Sequence, residues 1–206
     1  MVLFFSRTGL LAIDPVSGTV RWQHRHRASL RDSVNGIVPI VEDDLVFISE
    51  CYQVGSVVLK MSAHSVEVVW KDPPSDRRRQ AMRSHWATPV LVNGSLYGCS
   101  GRNPPDSDFR CIELKTGALK WSDPRRVRSS VTRVGDHLLV MEERGTLQVI
   151  RIDSTRLDIV AEWDLTEPSG DRPRLMYPCW SAPIVVGNKL VTRGSRNIVC
   201  LELAKK

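Results

Sequence analysis

"AIDPVSGTVRW" (residues 12–22) and "CIELKTGALKW" (111–121) share one layout: a short apolar run, an acid, a turn closed by Gly18 or Gly117, and a strand ending in Trp22 or Trp121. A glycine at that point lets the chain take positive φ at no steric cost, so each stretch reads as a hairpin. Two looser copies lie between and beyond. "SVVLKM" to "VEVVW" ends at Trp70, with Ser62 in place of the acid and Val66 in place of the glycine. "LQVIRID" to "DIVAEW" ends at Trp163 with a slightly longer turn.

Ahead of each such hairpin sits another. "PVLVNGSLYGCS" (89–100) places an Asn-Gly turn between two alternating runs, the pattern of a tight two-residue hairpin. "PIVEDDLVFIS" from Pro39, "VTRVGDHLLVM" from Val131 and "PIVVGNKLVT" from Pro183 repeat it. The tryptophans follow one another after 48, 51 and 42 residues, so the unit is two hairpins, four antiparallel strands, in roughly 40 to 50 residues. Units of that period bury their faces against one another as the blades of a β-propeller. The expectation is an all-β, partial propeller in a single segment over 1–206, with blades near 1–22, 39–70, 89–121, 131–163 and 183–203. The first should lack its first strand, the last its fourth, and three should be complete. The repeated tryptophan then has a plain packing role, because it lies on the next blade, buries about 150 Å² or more and donates its indole N–H.

The motif and its spacing resemble the tryptophan-docking repeat, A-x-D-x-x-T-G-x-x-x-W, of the quinoprotein-like or PQQ-like propellers. That family includes quinone-dependent alcohol dehydrogenases and the propeller lipoprotein of the outer-membrane protein-assembly machinery. The resemblance covers nearly the whole chain, strictly at Trp22 and Trp121 and loosely at Trp70 and Trp163. It implies a non-catalytic scaffold or protein-binding module without a cofactor. The alternative it carries is a remnant or subunit of a quinone-dependent dehydrogenase, with pyrroloquinoline quinone and calcium. It also implies a periplasmic or outer-membrane setting. Family rings typically close with seven or eight blades, so the segment is either part of a longer propeller or pairs with a second copy to complete the ring.

Little in the sequence speaks for catalysis. The adjacent cysteine pair of the quinone dehydrogenases is missing, and no phosphate loop or nucleophile elbow occurs. Glu50, Asp106 and Asp108 read as solvated loop carboxylates rather than a metal site. The five cysteines at 51, 99, 111, 179 and 200 read as small buried hydrophobes, with a Cys99–Cys111 bridge between neighbouring strands as the other reading. Binding is expected on the segments before each first strand: Asn35 in "SVNGIVP", His85 and Trp86 in "SHWATP", and Tyr177 and Trp180 in "MYPCWSAP". There the aromatic residues either stack on a ligand or peptide, or serve as wedges between blades.

The net charge of +6 comes from 29 basic and 23 acidic residues. Arginines group as "HRHR" (24–27), "RRR" (77–79) and "RRVR" (125–128). Such groups suit phosphate, but no recognition helix or RNA-binding signature accompanies them, so they read as solvated loop arginines and no nucleic-acid partner is expected. Segments 71–85 and 166–178 read as long surface loops. No apolar run reaches the length of a membrane helix. "MVLFF" at the start has neither basic leader nor cleavage site, and so reads as a strand rather than a signal peptide.

Overall fold

The computed structural model describes residues 1–124, 126–167 and 174–203. They form five antiparallel sheets, taken in order along the chain, with no helix among the described residues. The first sheet holds β1 (Val2–Ser6), β2 (Gly9–Ile13) and β3 (Val20–Arg25). The second holds β4 (Ile40–Glu42), β5 (Leu45–Glu50), β6 (Gly55–Met61) and β7 (Val66–Lys71). The third holds β8 (Val90–Val92), β9 (Ser95–Ser100), β10 (Asp108–Glu113) and β11 (Leu119–Asp123). The fourth holds β12 (Ser129–Val134), β13 (His137–Glu142), β14 (Thr146–Arg151) and β15 (Asp158–Asp164), and the fifth β16 (Ile184–Val186), β17 (Lys189–Arg193) and β18 (Ile198–Glu202). Each sheet is a meander whose strands pair in sequence order. Three, four, four, four and three strands make an open arc of propeller blades.

Burial follows each strand's place in its blade. β5 and β9 are buried on both faces, so "LVFISE" and "SLYGCS" carry small or apolar groups at nearly every position. β7, β11 and β15 lie outermost and are mostly exposed. One core cluster joins the first three sheets through Phe5, Trp22, Phe47, Leu59 and Leu96; two more fill the seams between the third and fourth and the fourth and fifth sheets. The outward faces of the two end sheets stay open: Phe4 is 56% exposed and Ile198 69%.

The four two-residue turns between first and second strands fall where the sequence places them. Asp43, Asn93, Gly135 and Gly187 each take positive φ, and Asn93-Gly94 takes it at both positions, as a type I′ turn requires. The outer hairpins share a subtler feature. In each complete outer pair one residue bulges, just before the partner of Ala12, Val58, Cys111 or Val149. Those partners are Trp22, Trp70, Trp121 and Ala161.

That register corrects one expectation. Trp163 pairs with Leu147, two residues past the position equivalent to Trp121, and is 50% exposed. The connection after β14 matches that after β6, so Ala161 takes the seam position of Trp70 and the tryptophan comes two residues later in β15. Four other readings also change. The stretch 80–84 is buried rather than a surface loop, because Asp72 accepts the Ala81 N–H at 2.7 Å and the Met82 carbonyl receives the Ser49 and Ser56 hydroxyls at 3.1 and 2.6 Å. In the 166–178 loop Leu175 is buried, while 168–173 lie outside the described residues. Cys99 pairs with Phe109 and Cys111 with Tyr97, two residues out of step, so no bridge forms and both thiols are free. Cys200 is exposed, unlike the other four. No helix among the described residues is long and apolar enough to cross a membrane.

Candidate functional site

Antiparallel meanders put two kinds of segment at the same end of the blades: the turn between second and third strands, and the connection to the next blade. Asn35, His85, Trp86, Tyr177 and Trp180 are on such connections; Tyr52, Arg102 and Glu143 are on such turns. At the other end lie the outer-hairpin turns, where the indole N–H groups land. Trp22 donates to the Ser62 carbonyl at 3.1 Å, Trp70 to Leu114 at 2.8 Å and Trp121 to Asp153 at 3.0 Å, each in the following blade. Gly117 lies under the Trp70 ring, 3.0 Å from where its Cβ would stand; Gly18, in the equivalent turn of the first sheet, has open space.

A ladder of rings and guanidinium groups crosses the first-named end. Arg102 lies over Tyr52 at 5.7 Å, and the Tyr52 hydroxyl meets His85 Nε2 at 3.2 Å. The His85 ring stands edge-on to Trp86, centroids 4.9 Å apart, and Trp86 tilts against Trp180 at 5.6 Å. Arg128 covers both tryptophans, 5.0 Å from one ring and 5.6 Å from the other. Glu143 anchors this end, accepting from Arg128 Nη2 at 2.7 Å and from the Trp180 indole at 3.1 Å. Trp86 and Trp180 come from blades that are not neighbours, and their side chains meet above the connection into the fourth sheet. Burial, helped by Arg102 and Arg128, lowers the His85 pKa to about 4, so the ring is neutral at ordinary pH.

The expected site residues thus separate. His85, Trp86 and Trp180 come together. Tyr177, three residues before Trp180, is 59% exposed, and Trp180 keeps 49% of its surface exposed although its N–H is fixed. Asn35 faces the protein: its amide donates to the Ser6 carbonyl at 2.8 Å and the His26 carbonyl at 3.0 Å, tying the second blade's connection to the first sheet. Arg128, Tyr52, Arg102 and Glu143 were not picked out from the sequence, because only folding shows that they flank the aromatic segments.

The charged residues also differ from expectation. Glu50 is fully buried and accepts from the Tyr52, Gln53 and Val54 N–H groups. Asp108 is buried and paired with Arg110; Asp106 receives Arg83 at 2.6 Å and Arg77 at 3.0 Å. Arg126 and Arg128 are held by carboxylates rather than solvated: Arg126 is 2% exposed, with Asp123 at 2.9 Å and Glu142 at 3.3 Å. Arg125 of the same group lies outside the described residues. Among the described residues no three His, Cys, Asp or Glu side chains gather as a metal would need.

Repeated four-stranded meanders around a common arc, joined by aromatic seams, define the chain as a segment of β-propeller. It belongs to the family of the outer membrane protein assembly factor BamB, whose family model matches residues 6–206. Comparison with curated protein sequences finds no match. Among solved structures the chain is similar to BamB from Moraxella catarrhalis, at 15% identity over 97% of this chain and 68% of that one, TM-score 0.49. It is similar to the computationally designed Ika8 protein at 9% identity, over 96% of this chain and 53% of that one, TM-score 0.64. A chain in the Saccharomyces cerevisiae complex of Dbp5 with Nup159 and Gle1 gives 13% identity, 97% and 54% coverage, and TM-score 0.60. The chain thus spans about half the length of the latter two.

Proposed function

We propose that the chain is a non-catalytic propeller scaffold that holds a protein partner against the face bearing the Trp86–Arg128–Trp180 stack, without a cofactor of its own. The observation that carries this is Trp180: its N–H and one flank are immobilised by Glu143, Arg128 and Trp86, yet half its surface is open, on a connection that also exposes Tyr177. Preorganised Trp, Tyr and Arg side chains are the groups that dominate protein–protein binding energies. Family membership supports the same class of work, since the family is described by an outer membrane assembly factor. We read Trp22, Trp70 and Trp121 as its docking tryptophans and place the chain at the outer membrane or in the periplasm. The engaged oxygens of Glu50, Asp106 and Asp108 leave a calcium–quinone pair poorly served, which supports a scaffold over a dehydrogenase remnant. The open end faces pair with a second copy of the chain in this reading, since exposed apolar blade faces of that kind drive association.

Photocrosslinking tests the main claim. A photoreactive phenylalanine at position 177 should give discrete protein adducts in the cells of origin, and the same group at Asp136, on the opposite face, should give none. Adducts only from position 136 would overturn the reading. Alcohol-dependent dye reduction after adding quinone and calcium to the purified chain would establish the dehydrogenase alternative instead. Sedimentation velocity reads the end-face pairing, with a concentration-dependent dimer expected and its loss in Phe4→Ser.

A further inference from the structure

The face carrying the aromatic ladder also carries exposed arginines in excess of its free carboxylates. Among the described residues most of its carboxylates are taken up internally: Asp72 and Glu50 by backbone N–H groups, Asp106 by Arg77 and Arg83, Glu142 by Arg126, Glu143 by Arg128; Asp32 and Glu167 are exposed. Arg7, Arg31, Arg102, Arg144, Arg174 and Arg196 are exposed at the same end with no ion pair among the described residues. The turns at the opposite end carry Asp14, Asp43, Asp44, Asp136 and Asp153, of which Asp14, Asp44 and Asp153 are paired with Arg21, Lys60 and Arg156.

The surplus is densest where the first and second blades meet. Arg7 Nη2 donates to the Arg31 carbonyl at 2.6 Å, and Arg27 reaches the Arg7 and Arg31 carbonyls, each at 3.5 Å. Arg31's own guanidinium has no partner among the described residues. An open cleft of about 480 Å³ lies here, lined by Arg7, Arg31, Asp32, Ser33, Val34 and Asn35, with Asp32 its one carboxylate. The loop that carries it is fixed. Asn35 ties it to the first sheet, Ser29 donates to Gln53 Oε1 through its N–H at 2.9 Å and its hydroxyl at 2.6 Å, and Ser33 closes a turn onto Leu30. Arginines held together on a rigid loop, in excess of the single carboxylate of Asp32, form a preorganised anion receptor.

We propose that this cleft binds an acidic, aliphatic segment of a protein partner, its carboxylates on Arg7 and Arg31 and its apolar side chains on Val34 in the cleft and on Leu30, just outside it on the same loop. This deepens the scaffold reading and rests on it. A polypeptide suits the surface better than a nucleic acid because the exposed apolar groups flanking the arginines are aliphatic, Leu30 at 46% and Val34 at 50%, which offers no platform for bases. The tryptophans farther along the face already stack on one another and on Arg128.

The test uses the full chain and a fluorescent peptide alternating glutamate pairs with leucine, followed by anisotropy. The peptide should bind, its glutamine counterpart should not, and affinity should fall as salt is raised. Arg7→Gln and Arg31→Gln should each weaken binding about tenfold, the loss expected for a charge-assisted contact. Arg196→Gln, in a distant turn, should leave it unchanged, and equal melting midpoints would show that the variants are folded. Peptide binding indifferent to Arg7 and Arg31 would overturn the proposal. So would tighter binding of a single-stranded oligonucleotide, or displacement of the peptide by inorganic phosphate with the same arginine dependence. Should the peptide fail while position 177 still crosslinks a protein, this cleft is wrong and the scaffold reading stands; failure of both removes both.

Discussion

Alanine at Gly117 and at Gly18 separates a strained backbone from a crowded blade seam. Both glycines close the same turn, at φ +72° and +73°. A side chain in that left-handed region costs about 1 kcal/mol at either site. The surroundings differ: nothing lies within 4 Å of a Cβ at Gly18, whereas at Gly117 it would stand 3.0 Å from the Trp70 ring. That ring has little room to retreat, since its N–H is bonded to Leu114 at 2.8 Å and Phe47 packs against it with centroids 6.4 Å apart. Overpacking of a held side chain adds about 1–3 kcal/mol. Gly18→Ala should therefore lower the unfolding free energy by about 1 kcal/mol and Gly117→Ala by about 2–4 kcal/mol. Urea denaturation reads both, as a midpoint shift at constant slope. Adding Trp70→Ala removes the obstruction, so the Gly117→Ala penalty in that background should fall to the Gly18 value, a coupling of at least about 1 kcal/mol. Equal midpoints for the two glycine variants, or strict additivity with Trp70→Ala, would refute the seam.

The shifted register of the fourth blade predicts unequal tryptophans. Trp121→Ala should cost about 3 kcal/mol, and Trp163→Ala, at a half-exposed site, under about 1 kcal/mol; thermal melts should show the first falling several degrees further than the second. His26, 6% exposed and bonded to the Gly55 carbonyl at 3.0 Å, has its pKa lowered by burial to about 4. The unfolded chain then binds the extra proton between pH 6.5 and 4, so stability is full above that window and declines as pH falls through it, by about 3 kcal/mol at pH 4. His85 adds to the same trend, reduced because its ring is half open. Chemical denaturation from about pH 7.5 to 4 should show this slope, and His26→Gln should flatten part of it. A slope unchanged in that variant would mean His26 titrates freely.

The fold was legible because a propeller blade is a local object. Each hairpin is specified by residues a few positions apart: the two-residue turns at Asp43-Asp44 and Asn93-Gly94, the glycine at 117, the alternation of outer strands. What failed was taking each tryptophan in the series for the seam residue of its strand. Trp163 looks like the fourth copy of a series, yet the register puts Ala161 at the seam, at the same sequence distance from Val149 as Trp70 from Val58, and the tryptophan two residues beyond it. The burial of 80–84 was hidden for a related reason. Its polar backbone is satisfied by Asp72, at the start of the same connection, and by Ser49 and Ser56 of β5 and β6, so proline and charge nearby made it look like an ordinary surface loop.

The site was legible as residue types and positions but not as an arrangement. Its connections were found, since each precedes a first strand, and Trp86 and Trp180 do meet; that they meet across a blade and above Arg128 depends on the curvature of the arc, which no local pattern encodes. Charge shows the same limit more sharply. A composition of 29 basic and 23 acidic residues suggests a mildly basic surface with both signs mixed. Folding sorts them, because the arginines that enter the blade seams, Arg83, Arg126 and Arg128, must each be paired to be buried at all, and they draw their partners from the acids of that same face. Each such pair engages a carboxylate that would otherwise be free to answer the exposed arginines of the face. The positive field around Arg7 and Arg31 is thus a consequence of how the interior was neutralised, which is why groups that look like scattered solvated arginines in the sequence become a directional surface in the folded chain.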